Sequence, residues 1–114
     1  MRQYTNKEQT QHLIELGFPR PNYIDIDGYP PKDMLDSYVS IKDRFGIVKC
    51  CEKYSIGELL SILDGYMTEP TDELLIWRDM LFWYVRFASD MECSCYDPEL
   101  VNALYKYIVE LKEE

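Results

Sequence analysis

The 114-residue chain is expected to fold as an α+β domain, a small antiparallel sheet of two hairpins with three helices, in the order α-β-β-α-β-β-α. Three observations carry this expectation. Helix-start signals stand at Thr5 and Ser55, each followed three residues later by Glu, and Asp97-Pro98 opens a third helical pattern. β-branched and aromatic residues cluster around residues 38–51 and 74–87. The turns inside those clusters are short, which demands antiparallel neighbours, since parallel pairing needs a crossover of roughly a dozen residues or more.

The first helix is expected over residues 6–16. Thr5 caps it and Glu8 completes a capping box, Gln9, Leu13 and Leu16 share a stripe with His12 at its margin, and Ile14 turns away. Gly17 supplies the left-handed conformation that stops a helix, and Pro19 forbids resumption. Residues 19–37 hold Pro19, Pro21, Pro30 and Pro31 and read as an ordered loop, with one short extended piece near Tyr23 and a turn at Asp27-Gly28. Residues 38–42 and 46–51 then read as two strands about a turn at residues 43–46.

The second helix begins after Ser55 and ends near Asp64-Gly65, with Ile56, Leu59, Leu60 and Leu63 on one face. Residues 72–87 are apolar almost all round, which suits either a buried helix or two strands turning near Arg78-Asp79. Phe82, Trp83, Tyr84, Val85 and Phe87 favour the hairpin, because such side chains suit a pleated surface. In the last helix Asp97 caps, Pro98 takes the first helical position, Glu99 complements the dipole, and Leu100, Leu104, Ile108 and Leu111 line one face. The middle helix is expected to cross between the hairpins so that they share a sheet, with the first and last helices on one face of it.

Composition bounds the function. At 46% hydrophobic and 14% aromatic, the chain is too apolar for disorder, and residues 1–114 are expected to form a single domain. No apolar run approaches the roughly 20 residues that span a bilayer, and the opening residues lack a secretory pattern. The expectation is a cytoplasmic protein without a membrane partner. Twelve bases against twenty-one acids give a net charge of −9, which argues against direct grip on nucleic acid. The imbalance is local: residues 1–53 hold eight of each sign, and residues 54–114 hold thirteen acids against four bases, the whole −9. Such asymmetry suits either a solvated face or a surface that meets a basic partner.

Three stretches carry a resemblance. Residues 7–21, from Lys7-Glu8-Gln9 through Gly17-Phe18-Pro19-Arg20-Pro21, resemble the opening of small uncharacterised proteins of Bacteroides-type gut bacteria and their phages and mobile elements. Tyr54-Ser55-Ile56-Gly57-Glu58-Leu59-Leu60 resembles their central helix motif, and residues 98–114 are similar to their closing helix. The resemblance implies a shared fold, with a Trp-x-Val-x-aromatic strand at Trp83, Val85 and Phe87. It implies no activity, substrate or catalytic residue. Residues 22–37 and the acidic, cysteine-bearing stretch fall outside it.

The candidate chemistry is sparse. Cys50-Cys51 and Cys93-x-Cys95 lack the two-residue separation by which paired thiolates share one zinc, and cytosolic thiols stay reduced. All four read as structural. The single histidine, His12, has no nucleophile motif near it in sequence. Asp25-x-Asp27-Gly28 fails as a calcium loop, since that register puts Tyr23 and Met34 where oxygen ligands belong. No Gly-rich phosphate loop is present. These patterns support no enzyme class, metal or cofactor.

What remains is a surface. If Leu74, Ile76, Trp83, Val85 and Phe87 face the core, the period of two turns Leu75, Trp77, Phe82, Tyr84 and Arg86 outward. Trp, Tyr and Arg are the types in which binding energy concentrates, so this is the candidate protein-contact face, for a partner or for self-association. Burial of the face by the long loop or a helix is the competing structural reading. The leading functional reading is a non-enzymatic accessory or interaction protein, encoded by a phage or mobile element. The alternatives are an acidic DNA-mimic inhibitor of a nucleic-acid-binding protein and an enzyme of unrecognised class.

Overall fold

A computed structural model describes residues 3–21, 23–25, 38–43, 46–67, 69–91 and 95–113. The expected turn at Asp27-Gly28 and most of the loop over residues 19–37 lie outside them. The elements run α1 (Lys7–Glu15), β1 (Tyr23–Asp25), β2 (Tyr38–Asp43), β3 (Gly46–Glu52), α2 (Ile56–Asp64), β4 (Leu74–Asp79), β5 (Phe82–Phe87), β6 (Cys95–Asp97) and α3 (Leu100–Glu113). The class is α+β, with three helices and only antiparallel strand pairs among the described residues.

The hairpins β2–β3 and β4–β5 form as expected, but they belong to separate three-stranded sheets, ordered β1-β3-β2 and β4-β5-β6. The expectation of one shared sheet is therefore corrected. In each hairpin the second strand takes a short third strand on its open edge: Tyr23↔Glu52 to Asp25↔Cys50 for β3, and Trp83↔Asp97 to Val85↔Cys95 for β5. Both β3 and β5 become central strands with two hydrogen-bonded edges.

The chain divides into two compact units. In the unit over residues 4–55, the capping box sits one residue later than expected. Asn6 Oδ1 accepts from Gln9 N at 2.8 Å, and Gln9 Oε1 accepts from Asn6 N at 3.0 Å. Thr5, expected to cap, is wholly buried instead. Its Oγ1 accepts from Tyr54 N at 3.1 Å and lies 2.7 Å from Thr10 Oγ1, which donates to Asn6 O at 2.8 Å. One relay of hydroxyls thus satisfies polar groups at both ends of the unit's chain. The C-terminus of α1 matches the expectation. Gly17 has φ +97°, and Gly17 N and Phe18 N donate back to Ile14 O and Leu13 O at 3.0 and 3.3 Å, a Schellman closure. Tyr54 Oη then donates to Pro19 O at 2.6 Å, tying the exit from α1 to the end of the unit.

The other unit comprises residues 1–3 and 56–114. Leu59 and Leu63 of α2 are fully buried, and Gly65 follows its last turn as anticipated. Residues 72–87 form the hairpin rather than a helix, but the turn is at Met80-Leu81, closed by Asp79↔Phe82, not at Arg78-Asp79. Neither Met nor Leu is a turn former, so the register follows the core. It places Val85 and Phe87 inward against α3, where the rings of Phe87 and Tyr107 lie 5.8 Å apart. Helix α3 packs on both α2 and strands β5 and β6. Its buried stripe is accordingly wider than expected, gaining Val101, Ala103 and Tyr107 beside Leu100, Leu104 and Ile108. Leu111, the last residue of the expected stripe, is only half-buried.

Candidate functional site

The β4–β5 ladder determines which side chains share a face. Ala88 N donates to Glu73 O at 2.7 Å just beyond the strands. Glu73, Leu75, Trp77 and Asp79 therefore direct their backbone groups toward β5, and Leu74, Ile76 and Arg78 direct theirs toward the open side of β4. Leu75, Trp77, Phe82, Tyr84 and Arg86 share one face as the period of two requires. On the other face only Val85 and Phe87 are buried as expected; Leu74 and Trp83 are half-buried, and Ile76 is exposed because β4 is the edge strand.

On that face the aromatic rings form a continuous stack. Trp77 lies parallel to its cross-strand partner Tyr84, with centroids 5.3 Å apart and planes 8° from parallel. Tyr84 meets Tyr96 at 5.7 Å, and Tyr96 meets Phe82 edge-on at 5.6 Å. The Arg86 guanidinium sits over Trp77 at 5.8 Å and is held there by Nη1, which donates to Phe87 O and Ala88 O at 3.1 and 3.2 Å. Trp77 remains 38% exposed and Tyr96 55% exposed, so the stack is open to solvent. Leu75, Phe82, Tyr84 and Arg86 are half-buried.

Tyr96 is the member that sequence reasoning missed. It lies on a three-residue strand, too short to show a period, and only its pairing opposite Tyr84 brings it to the face. Asp97 explains why that strand stops and α3 follows. Its Oδ1 accepts from Glu99 N and Asn102 Nδ2 at 3.0 and 3.1 Å, and Oδ2 pairs with Lys106 Nζ at 2.8 Å. Burial raises the Asp97 carboxyl, but the Lys106 ammonium and the Glu99 and Asn102 donors outweigh it and hold it below the usual range. Asp97 serves an amide ahead of the helix as expected, but from two residues before the cap position that the Ala103 N to Glu99 O bond defines. The regular helix begins at Leu100, so Pro98 and Glu99 precede it.

The hairpin tip adds two apolar residues. Met80, with φ 54°, is 88% exposed, and Leu81 beside it is also exposed. A positive φ at the first central residue and not the second is the φ pattern of a type II′ turn, where Gly is the favoured residue.

The other candidates do not converge. His12 is half-buried on α1. Cys95 is a buried thiol whose Sγ donates to Glu110 Oε2 at 3.1 Å. Cys93 lies outside the described residues, as do the side chains of Cys50 and Cys51. Among the described residues no group of three or more His, Cys, Asp and Glu is placed to hold a metal ion. Among the described residues no helix is long and apolar enough to cross a membrane. Comparison with known protein families, with curated proteins and with solved structures returns no match.

Proposed function

We propose that this protein is a non-enzymatic accessory module that binds another protein through the outer face of its β4–β5–β6 sheet. The stack running from Arg86 over Trp77, Tyr84 and Tyr96 to Phe82 carries the reading. Rings already stacked on one another lose little rotamer freedom on binding, and the exposed Trp77 and Tyr96 offer large contact area at low entropic cost. Four of the acids in the second half serve the fold: Asp72 bonds Ser89, Asp90 accepts from Tyr107, Asp97 pairs with Lys106, and Glu110 accepts from Cys95. That use favours the contact face over a regular phosphate-like array.

The test compares wild type with a Trp77→Ala/Tyr96→Ala double variant, by cross-linking in cell extract and by light scattering of the purified chain. A partner or oligomer seen with wild type and lost in a variant of unchanged far-UV circular dichroism supports the reading. A wild-type chain with neither overturns it. The accessory role has its own check in the genomic neighbours of the coding sequence. A phage or conjugative element around it supports the role, and a metabolic operon counts against it.

A further inference from the structure

The open edge of β4 carries a second recognition feature. The N–H and C=O groups of Leu74, Ile76 and Arg78 point away from β5, and among the described residues no strand pairs with them. Ile76 is 36% exposed and Arg78 is exposed, so the edge is accessible. Proteins normally blunt such an edge with a bulge, a proline or a covering segment. Here it runs for six residues, Leu74 to Asp79, with no proline or bulge in the strand and, among the described residues, no strand over it. At its start it adjoins an open groove of about 410 Å³ lined by Leu60, Ser61, Asp64, Met67 and Leu74.

Charge selects the occupant. Glu73 and Asp79 bracket the edge, both exposed and both on the aromatic face. A strand added to β4 meets Glu73, Leu75, Trp77 and Asp79 as non-hydrogen-bonded pairs, the type in which opposed side chains come closest. Pairing two copies of β4 about Ile76 would satisfy the edge backbone. It would also set Glu73 opposite the second copy's acidic Asp79 at both ends, and like charges directly opposed are destabilising. A strand with a base at each of those two positions and apolar residues between them meets no such conflict.

Resting on the interaction reading above, we infer that β4 captures an extended segment of another protein by strand addition. The segment has the pattern base-x-apolar-x-apolar-x-base over seven residues. Its bases face Asp79 and Glu73, and its two central apolar side chains lie against Trp77 and Leu75. In antiparallel register its sixth side chain enters the groove between Leu60, Met67 and Leu74. Backbone bonds to Leu74, Ile76 and Arg78 supply grip, and the alternate side chains supply selectivity.

The probe is the capped peptide Lys-Thr-Val-Thr-Val-Leu-Lys, titrated against a Trp83→Phe chain so that emission reports Trp77 alone. The expected result is a saturable emission change that weakens with salt. Replacing both lysines by glutamate turns two attractive pairs into repulsive ones and is expected to weaken binding about tenfold or more. Ile76→Pro removes the central outward N–H and no bond to β5, so it is expected to abolish the change while the fold persists. Should that variant fail to fold, Glu73→Lys/Asp79→Lys touches only exposed side chains and is expected to reverse the preference in favour of the glutamate peptide. Equal binding of both peptides, unchanged binding by Ile76→Pro, or a wild-type dimer that Ile76→Pro dissociates would each overturn the inference. The edge and the contact face fail separately. A partner captured by Ile76→Pro but not by Trp77→Ala/Tyr96→Ala leaves the face standing and removes the edge.

Discussion

The phenol oxygen of Tyr107 lies 2.9 Å from the backbone nitrogen of Phe87 and accepts its hydrogen bond, while donating its own proton to Asp90 Oδ2 at 2.9 Å. Trp83, Val85 and Phe87 direct their backbone groups to the β6 side of β5, and the β5–β6 register ends at Val85↔Cys95. Phe87 N–H is the next donor along that side, and the Tyr107 side chain of α3 supplies its acceptor. A helix side chain thus continues a sheet ladder one step beyond its last strand residue.

Tyr107→Phe tests that bridge. Phe87 and Tyr107 are both buried, so losing the hydroxyl leaves a buried amide without this acceptor. The expected cost is about 1–3 kcal/mol, read as a lower urea midpoint with an unchanged slope.

Met80→Gly is expected to stabilise the protein. A side chain at φ 54° costs about 1–2 kcal/mol. Glycine gives back part of the gain through its freer unfolded state, about 0.4–1 kcal/mol. The net expectation is a rise of roughly 0.5–1 kcal/mol in unfolding free energy. An unchanged or lower urea midpoint would contradict it.

Thr5→Val is expected to destabilise the unit over residues 4–55. It keeps the shape but removes the acceptor of Tyr54 N and the neighbour of Thr10 Oγ1. Stranding a buried amide costs about 1–3 kcal/mol. Thr5→Ser retains the hydroxyl and should recover most of the loss, which hydrogen exchange at the Tyr54 amide would report.

Stability should fall on acidification below about pH 4. The Asp97 carboxyl is held down by Lys106, Glu99 and Asn102 against its burial. The Asp72 carboxyl is held down first by the Ser89 hydroxyl, with the Ser89 and Glu73 amides adding to it against burial. A depressed carboxyl contributes its stabilisation in full above its unfolded value and loses it as pH falls through the folded value. Urea midpoints at neutral pH and at pH 3 should therefore differ less in Asp97→Asn or Ser89→Ala than in the wild type. Equal differences would remove this account.

The helices and hairpins were legible because their signals are local. Capping residues precede apolar positions at helical spacing in α1, α2 and α3, and alternation in β5 places Val85 and Phe87 inside and Tyr84 outside. Even the misplaced cap at Thr5 and the misplaced turn at Arg78-Asp79 fall within two residues of their true positions: Asn6 competes with Thr5 for the same amides, and the burial of Val85 and Phe87 sets the hairpin register.

Local pattern is enough for the α+β class, for favouring two strands over residues 72–87 and for putting Leu75, Trp77, Phe82, Tyr84 and Arg86 on one sheet face. Long-range pairing accounts for the remainder. Strand β1 is expected as a short extended piece near Tyr23, but its pairing to β3, and β6 altogether, come only from the folded sheets. Tyr96 reaches the aromatic stack only through the β5–β6 pairing, and Thr5 is buried because its hydroxyl meets the Tyr54 amide 49 residues away. Which backbone groups end without a partner, and hence that β4 is an open edge, depends on every other strand in the sheet. Hydrogen-bond satisfaction is a property of the whole ladder, and no window of the sequence contains it.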